Sequence, residues 1–307
     1  MLLPILLLTL AQSPEYIRAG NPDDIITKPK PGYLLMGGGK DVEEAFQWMI
    51  EKSNGGDFLI LRARGTAAYN PFVQKLGKVN SVATLILTNR EQSSDPTVID
   101  RINKAEAIFM AGGDQWNYIK FWKDSPVSKA IQKRIDAGVP VGGTSAGLAV
   151  LSEFYFSAEH DTITSDQALQ NPFDEKANVG TGFLKIKALK GTLTDSHFTP
   201  RKRIGRLAAF LARLNKVKGI GIDERTALLV ESNGESRVVG TNKVWFLKLT
   251  ESPTQLKPGQ PLTLKNIEVQ TVDPNQTFNL KTWSSTSASA SKLHIEAGAI
   301  TQESKNK

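Results

Sequence analysis

Cysteine is absent from all 307 residues, and histidine occurs only three times. Without thiols the chain has no disulfide framework, no Cys-ligated zinc site and no thiol nucleophile. Three scattered His do not make a ligand cluster, so neither a metal nor another cofactor is expected. Apolar runs long enough to cross a bilayer are missing as well. The longest, from Met1 to Leu10, is too short for a span, and Ala11-Gln-Ser13 follows it. It reads like the apolar region of a secretory signal without the basic residues that usually precede one; a hydrophobic N-terminal strand is the alternative. We therefore expect a signal peptide over residues 1–20, a periplasmic or secreted address with a cytoplasmic one as the alternative, and no stable membrane insertion. Nor does charge of one sign gather in one segment. The excess of Lys and Arg over Asp and Glu gives a net charge of +7, but the cations are spread along the chain and not interleaved with aromatics, so no nucleic-acid partner is expected. The positive field favours an acidic substrate.

What is present is the composition of a soluble globular protein, 40% hydrophobic and 22% charged, with length enough for one large domain or two small ones. From Gly32 short apolar runs alternate with helical spacing. Gly32-Tyr-Leu-Leu-Met36, Asp57 to Ala63, Ser81 to Thr88, Ala107 to Ala111 and Val139 to Thr144 read as strands; Asp41 to Lys52, Tyr69 to Leu76, Pro96 to Lys104, Trp116 to Trp122 and Ser128 to Ala137 read as helices. The alternation predicts an α/β fold, a three-layer α/β/α sandwich on a mostly parallel sheet, with ligands bound beyond the carboxyl ends of the strands. Gly37-Gly-Gly39 ends the first strand in a turn of the kind that can hold an anion. Phe154 to Asn178 reads as a loop or helical insertion, and Gly182-Phe-Leu-Lys185 and Gly191-Thr-Leu-Thr-Asp195 as strand pieces. Lys218 to Glu224 and Thr226 to Val230 look like paired strands across a turn, and Asn233-Gly234 marks a hairpin. From Glu251 the composition shifts to Pro, Thr, Ser and Gln. Residues 251–307 are expected to be a small C-terminal β extension with a linker at Ser284 to Ser291, following an α/β domain over 30–250.

The chemistry centres on Val139-Pro-Val-Gly-Gly-Thr-Ser-Ala-Gly-Leu-Ala-Val-Leu151. Gly143-Thr-Ser-Ala-Gly147 fits the G-x-S-x-G elbow, in which small residues let a strand turn sharply into a helix and lift the hydroxyl clear of the sheet. Ser145 is read as the nucleophile; a tight turn with Ser as a helix cap is the plainer alternative. The Ala146 amide at the start of the helix and the Gly113 amide in Gly112-Gly-Asp-Gln115 can together form an oxyanion hole. A serine needs a base. Of the three His, His294 lies in the polar tail, His160 follows the elbow region, and His197 follows the strand-like Thr192 to Asp195. His197 is the preferred base, with His160 left open. Glu224 is the preferred group to orient it, with Asp223 and Asp195 as rivals. Gln115, Arg201 and Arg203 are candidates for substrate binding, the two guanidiniums toward a carboxylate.

Taken together, Gly112-Gly-Asp-Gln115, Gly142-Gly-Thr-Ser-Ala-Gly147, Asp195-Ser-His-Phe198 with Gly205-Arg-Leu after it, and Gly219-Ile-Gly-Ile-Asp-Glu224 resemble the cyanophycinase family of serine peptidases, peptidase family S51. That family is related to the peptidase E aspartyl dipeptidases, and the match runs from about Gly32 to Val230. The resemblance implies a flavodoxin-like sandwich of the class I glutamine amidotransferase type and a peptide substrate. The implied activity is hydrolysis of β-aspartyl links, releasing β-Asp-Arg dipeptides from cyanophycin through an acyl-enzyme. Carried over by position, it makes Ser145 the nucleophile, His197 the base and Glu224 its orienting acid, and puts Gln115 and the cations after His197 at the substrate. The order Ser, His, acid also differs from that of the α/β-hydrolases. Where the family usually has Gln before the His and Gln-Arg-Gly-Arg after it, this chain has Ser196 and Thr199-Pro-Arg-Lys-Arg203. The departure bears on substrate recognition and leaves the three catalytic positions unchanged. An aspartyl or isoaspartyl dipeptidase of the same fold and a secreted, non-catalytic binding module are the alternatives; the oligomeric state, a homodimer included, is left open.

Overall fold

A computed structural model describes residues 13–214 and 216–304. An edge strand, β1 (Glu15–Gly20), is followed by β2 (Gly32–Met36), α1 (Glu43–Ser53), β3 (Asp57–Arg62), α2 (Tyr69–Leu76), β4 (Ser81–Ile86), α3 (Pro96–Lys104), β5 (Ala107–Met110), α4 (Gln115–Trp122), α5 (Pro126–Asp136), β6 (Val141–Thr144) and the single-turn α6 (Ala146–Ala149). Then come β7 (Phe154–Phe156), α7 (Ser165–Gln170), β8 (Val179–Thr181), β9 (Thr192–Asp195) and α8 (Ile204–Leu214). The rest is β: β10 (Lys218–Ile222), β11 (Thr226–Glu231), β12 (Glu235–Gly240), β13 (Val244–Leu249), β14 (Leu264–Val272), β15 (Thr277–Asn279), β16 (Ser289–Glu296) and β17 (Ala299–Ser304). Helix starts follow their capping chemistry. Asp95 accepts from Thr97 N–H ahead of α3, and Ser125 with Pro126 at the first helical position starts α5 two residues before the expected Ser128.

The strands form two mixed sheets, which corrects the expectation of one mostly parallel sheet. The first has nine strands in the order β1-β4-β3-β5-β6-β2-β11-β12-β15, with a parallel run from β4 to β2 and antiparallel strands on both sides. The second has eight, β17-β16-β14-β13-β10-β9-β7-β8, parallel only across β10, β9 and β7. Alternation along each strand separates three cores. Leu34 and Met36 pack toward Phe46 and Met49 of α1, whereas Tyr33 and Leu35 turn to the opposite face. That opposite core also takes Val98, Ile102 and Ile131 of α3 and α5 and, from the second sheet, Ile220, Ile222 and Phe246. The outer face of the second sheet packs Leu193, Leu247 and Val269 against Leu207 and Leu211 of α8.

Expected pairings change in three further places. β10 and β11 are not a hairpin: β10 pairs with β9 and β13, β11 with β2 and β12, and residues 223–225 carry the chain from one sheet to the other. The reason is the Gly-Ile-Gly-Ile pattern of β10. Its bare face receives Leu207 of α8 against Gly219 and Phe198 against Gly221, while its Ile face enters the central core. The strand piece expected at Gly182–Lys185 lies earlier, as β8, and ends where Gly182 takes φ +79°. From residue 251 onward the chain supplies β14, β16 and β17 to the second sheet and β15 to the edge of the first, and Ser289–Ser291 of the expected linker belong to β16. Part of the stretch expected as a leader, residues 1–20, is a strand of the first sheet. Glu15–Gly20 pairs antiparallel with β4, and Arg18 bonds Asp57 at 3.1 Å; the apolar run at 1–12 lies outside the described residues. Among the described residues no helix is long and apolar enough to cross a membrane.

Candidate active site

Ser145 sits where β6 gives way to α6, with φ 52° and ψ −112°, a sparsely populated conformation for a residue bearing a side chain. The turn is feasible because its neighbours are small. A Cβ on Gly147 would lie 2.0 Å from the Met110 carbonyl oxygen, so only glycine lets the turn approach β5 this closely. α6 is one turn long, so whatever its start contributes comes from individual amides and not from a helix dipole. The Gly112–Gly113 turn after β5 lies alongside, since a Cβ on Gly112 would be 3.5 Å from Ser145 Cβ. Ala146 is buried at the first helical position.

His197 follows β9, and Glu224 lies on the crossing from β10 to β11. The structure brings both to the serine. His197 Nε2 is 2.8 Å from Ser145 Oγ, and His197 Nδ1 is 2.6 Å from Glu224 Oε1. A carboxylate can only accept, so Nδ1 carries the proton and the neutral ring presents Nε2 as acceptor to the hydroxyl. The His197 side chain is 11% exposed. Burial holds its pKa below the usual histidine range, and the Arg201 and Arg203 charges act the same way, against the opposing effect of the Glu224 hydrogen bond. The arrangement has the parts of nucleophilic catalysis: a hydroxyl, a base kept neutral, and a carboxylate that fixes its tautomer.

The other candidates fall elsewhere. His160 is exposed, its ring 4.0 Å from Glu159, and His294 is half-buried in β16, its Nδ1 accepting from Asn266 N–H at 3.2 Å. Asp223 accepts from Thr199 N–H at 2.8 Å and so braces the turn after His197. Asp195 is buried and receives the Arg206 guanidinium through two bonds, Nε at 2.8 Å and Nη2 at 2.6 Å, with Arg203 Nη1 at 3.2 Å. Burial alone would raise the Asp195 carboxyl, but Arg206 and Arg203 together bring it below the ordinary carboxylate value. Arg203, expected as a substrate contact, is held through Nη1 by Asp195 and by the Ser196 carbonyl at 2.8 Å. Arg201 is exposed and close enough to influence His197. Gln115 Nε2 donates to the Phe156 carbonyl at 3.0 Å, which fixes its side chain at the start of α4. Arg206 entered the sequence analysis only as the middle of Gly205-Arg-Leu, with no role assigned. Its signal was a charge on the apolar face of the amphipathic α8, where it is 2% exposed and lies over the Phe156 ring at 4.9 Å.

Comparison with known proteins follows the same residues. Residues 34–238 match the model of peptidase family S51. The cyanophycinases of Synechococcus elongatus and Trichormus variabilis are 26% identical over 219 residues and 29% over 204, covering 70% and 65% of this chain. In each case the chain spans 65% of the relative's length. The crystal structure of a peptidase from an acI-B1 Actinobacterium aligns with a TM-score of 0.58 at 20% identity, covering 82% of this chain and 98% of that one, a likeness of fold.

Proposed function

The chain belongs to peptidase family S51, and from that premise we propose that it cleaves β-aspartyl peptide links through an acyl-enzyme on Ser145. One observation carries this reading, the continuous Ser145–His197–Glu224 hydrogen-bond chain with contacts of 2.8 and 2.6 Å. Ser145 Oγ attacks the scissile carbonyl as its proton passes to His197 Nε2, and the imidazolium is stabilised by Glu224. The oxyanion forms between the Ala146 and Gly113 amides. The tetrahedral adduct collapses with the proton returning from His197 to the leaving amine, and water then resolves the ester with His197 again as base. A β-linked aspartyl unit carries a free carboxylate, and Arg201 is an exposed cation whose charge acts on the base. The cyanophycinases among its relatives make cyanophycin the first substrate to try.

One observation favours a second reading. Arg203 is tied to Asp195, and Ser196, buried at 4% exposure, stands before the histidine where the resemblance leads one to expect Gln, so recognition of the released unit is expected to differ from the cyanophycinase pattern. An aspartyl or isoaspartyl dipeptidase fits the same catalytic groups. Mass analysis after incubation with cyanophycin and with matched α-Asp and β-Asp dipeptides separates the two. We expect β-Asp-Arg from cyanophycin, lost in Ser145→Ala. Turnover of dipeptides alone would select the second reading, and no turnover together with no fluorophosphonate labelling of Ser145 would leave a binding module.

A further inference from the structure

Three consecutive carbonyls at the end of β2 receive backbone N–H groups from three segments far apart in sequence. Ser145 N–H donates to the Met36 oxygen at 3.0 Å, His197 N–H to that of Gly37 at 2.8 Å, and Arg225 N–H, next to Glu224, to that of Gly38 at 2.9 Å. Each donor residue has a left-handed backbone, φ 52° at Ser145, 45° at His197 and 56° at Arg225. Non-glycine residues hold such conformations only where their surroundings impose them. The side chains meet the same segment. A Cβ on Gly38 would lie 2.5 Å from His197 Cε1 and 2.6 Å from Nε2, and one on Gly39 would lie 3.0 Å from Glu224 Cβ.

We infer that Met36–Gly39 is a positioning segment of the site, a stretch that registers nucleophile, base and acid to each other. It acts through the three residues it holds. Its carbonyl ladder sets where their backbones stand, and the bare surface of Gly38 and Gly39 sets how far the imidazole and the carboxylate advance. An anion cradle at these glycines is disfavoured, because the space above them is filled by the imidazole and by a carboxylate. The inference rests on the proposed roles of Ser145, His197 and Glu224.

Gly38→Ala tests it, with Gly259→Ala as the matched control. Both glycines have positive φ, 95° and 69°, so both substitutions strain the backbone, but a Cβ on Gly259 meets nothing within 4 Å. Labelling by a fluorophosphonate should be at least about 100-fold slower in Gly38→Ala and unchanged in Gly259→Ala, since small displacements of reacting groups are costly. Proton NMR reads the placement without any chemistry. The His197 Nδ1 proton, assigned by its absence in His197→Ala, should be strongly deshielded in the wild type and in Gly259→Ala, and lost or moved in Gly38→Ala. A folded Gly38→Ala with that proton unchanged and labelling within about threefold of wild type overturns the inference. If Gly38→Ala does not fold, Gly39→Ala takes its place, as its closest contact, 3.0 Å to Glu224 Cβ, is less severe than the 2.5 Å at Gly38; an unchanged Nδ1 proton there is equally fatal. A wild type that shows the proton but takes no label removes the proposed chemistry alone, and the variant spectra still decide the positioning.

Discussion

At His197 several influences meet on one ring. Burial lowers its pKa most, Arg201 and Arg203 lower it further, and the Glu224 hydrogen bond raises it. The net effect is downward, so the base stays neutral and competent to lower pH than a free histidine would. The acid limb of kcat/KM is expected below pH ~6.5, the ordinary histidine value. Arg201→Gln removes an exposed charge that repels the imidazolium, so it should move that limb to higher pH. A pH profile of both forms on one substrate checks this, and an unmoved limb would show that Arg201 does not act on the base. The same substitution should raise KM for substrates with a free carboxylate and leave KM for neutral esters unchanged. Among the residues, Ser145 and Glu224 were legible as candidates because small-residue motifs surround them. The competition among Glu224, Asp223 and Asp195 was not, because it turns on which carboxylates other side chains already occupy.

Between elements, the joint of β9 and α8 depends on a buried ion pair. Asp195 at the end of β9 and Arg206 on α8 are 4% and 2% exposed at the side chain, and they meet through a two-bond fork. Breaking such a pair from one side is severe, because the remaining charge keeps its desolvation cost without compensation. Asp195→Ala should therefore cost about 3–5 kcal/mol, read as a lower urea midpoint at constant m-value. Because β9 leads directly into His197, activity should fall with stability. A variant of wild-type stability would show that Arg203 and Arg206 find other partners. Helical periodicity was readable at Pro96–Lys104, where α3 is observed. The split of β10 and β11 into different sheets was not readable. Both are short apolar runs, and period-2 alternation says that a strand has two faces without saying which neighbour each face will find.

For the whole molecule, the C-terminal strands are structural members of both sheets. Leu264, Ile267, Val269, Val272, Phe278 and Trp283 are all at least 94% buried, and Phe278 stacks on Phe246 with ring centroids 3.6 Å apart. At about 1.5–3 kcal/mol for each large apolar side chain, these six contribute roughly 9–18 kcal/mol, as much as the whole net stability of a typical domain, about 5–15 kcal/mol. A chain ending at Thr250 should fail to give a cooperative thermal transition, whereas the full chain should show one. A truncated form that melts cooperatively within a few degrees of the full chain would refute this. The sequence by itself determined the alternating core, the strained serine turn and the shortlist of groups that could serve it, because spacing, small residues and scarce histidines are local properties. The tertiary structure alone decided that there are two sheets, that Arg203 and Arg206 share Asp195, and that three separated segments end on the carbonyls of Met36, Gly37 and Gly38. Those outcomes depend on which buried groups satisfy each other across the core, and that is settled only when distant parts of the chain compete for the same partners.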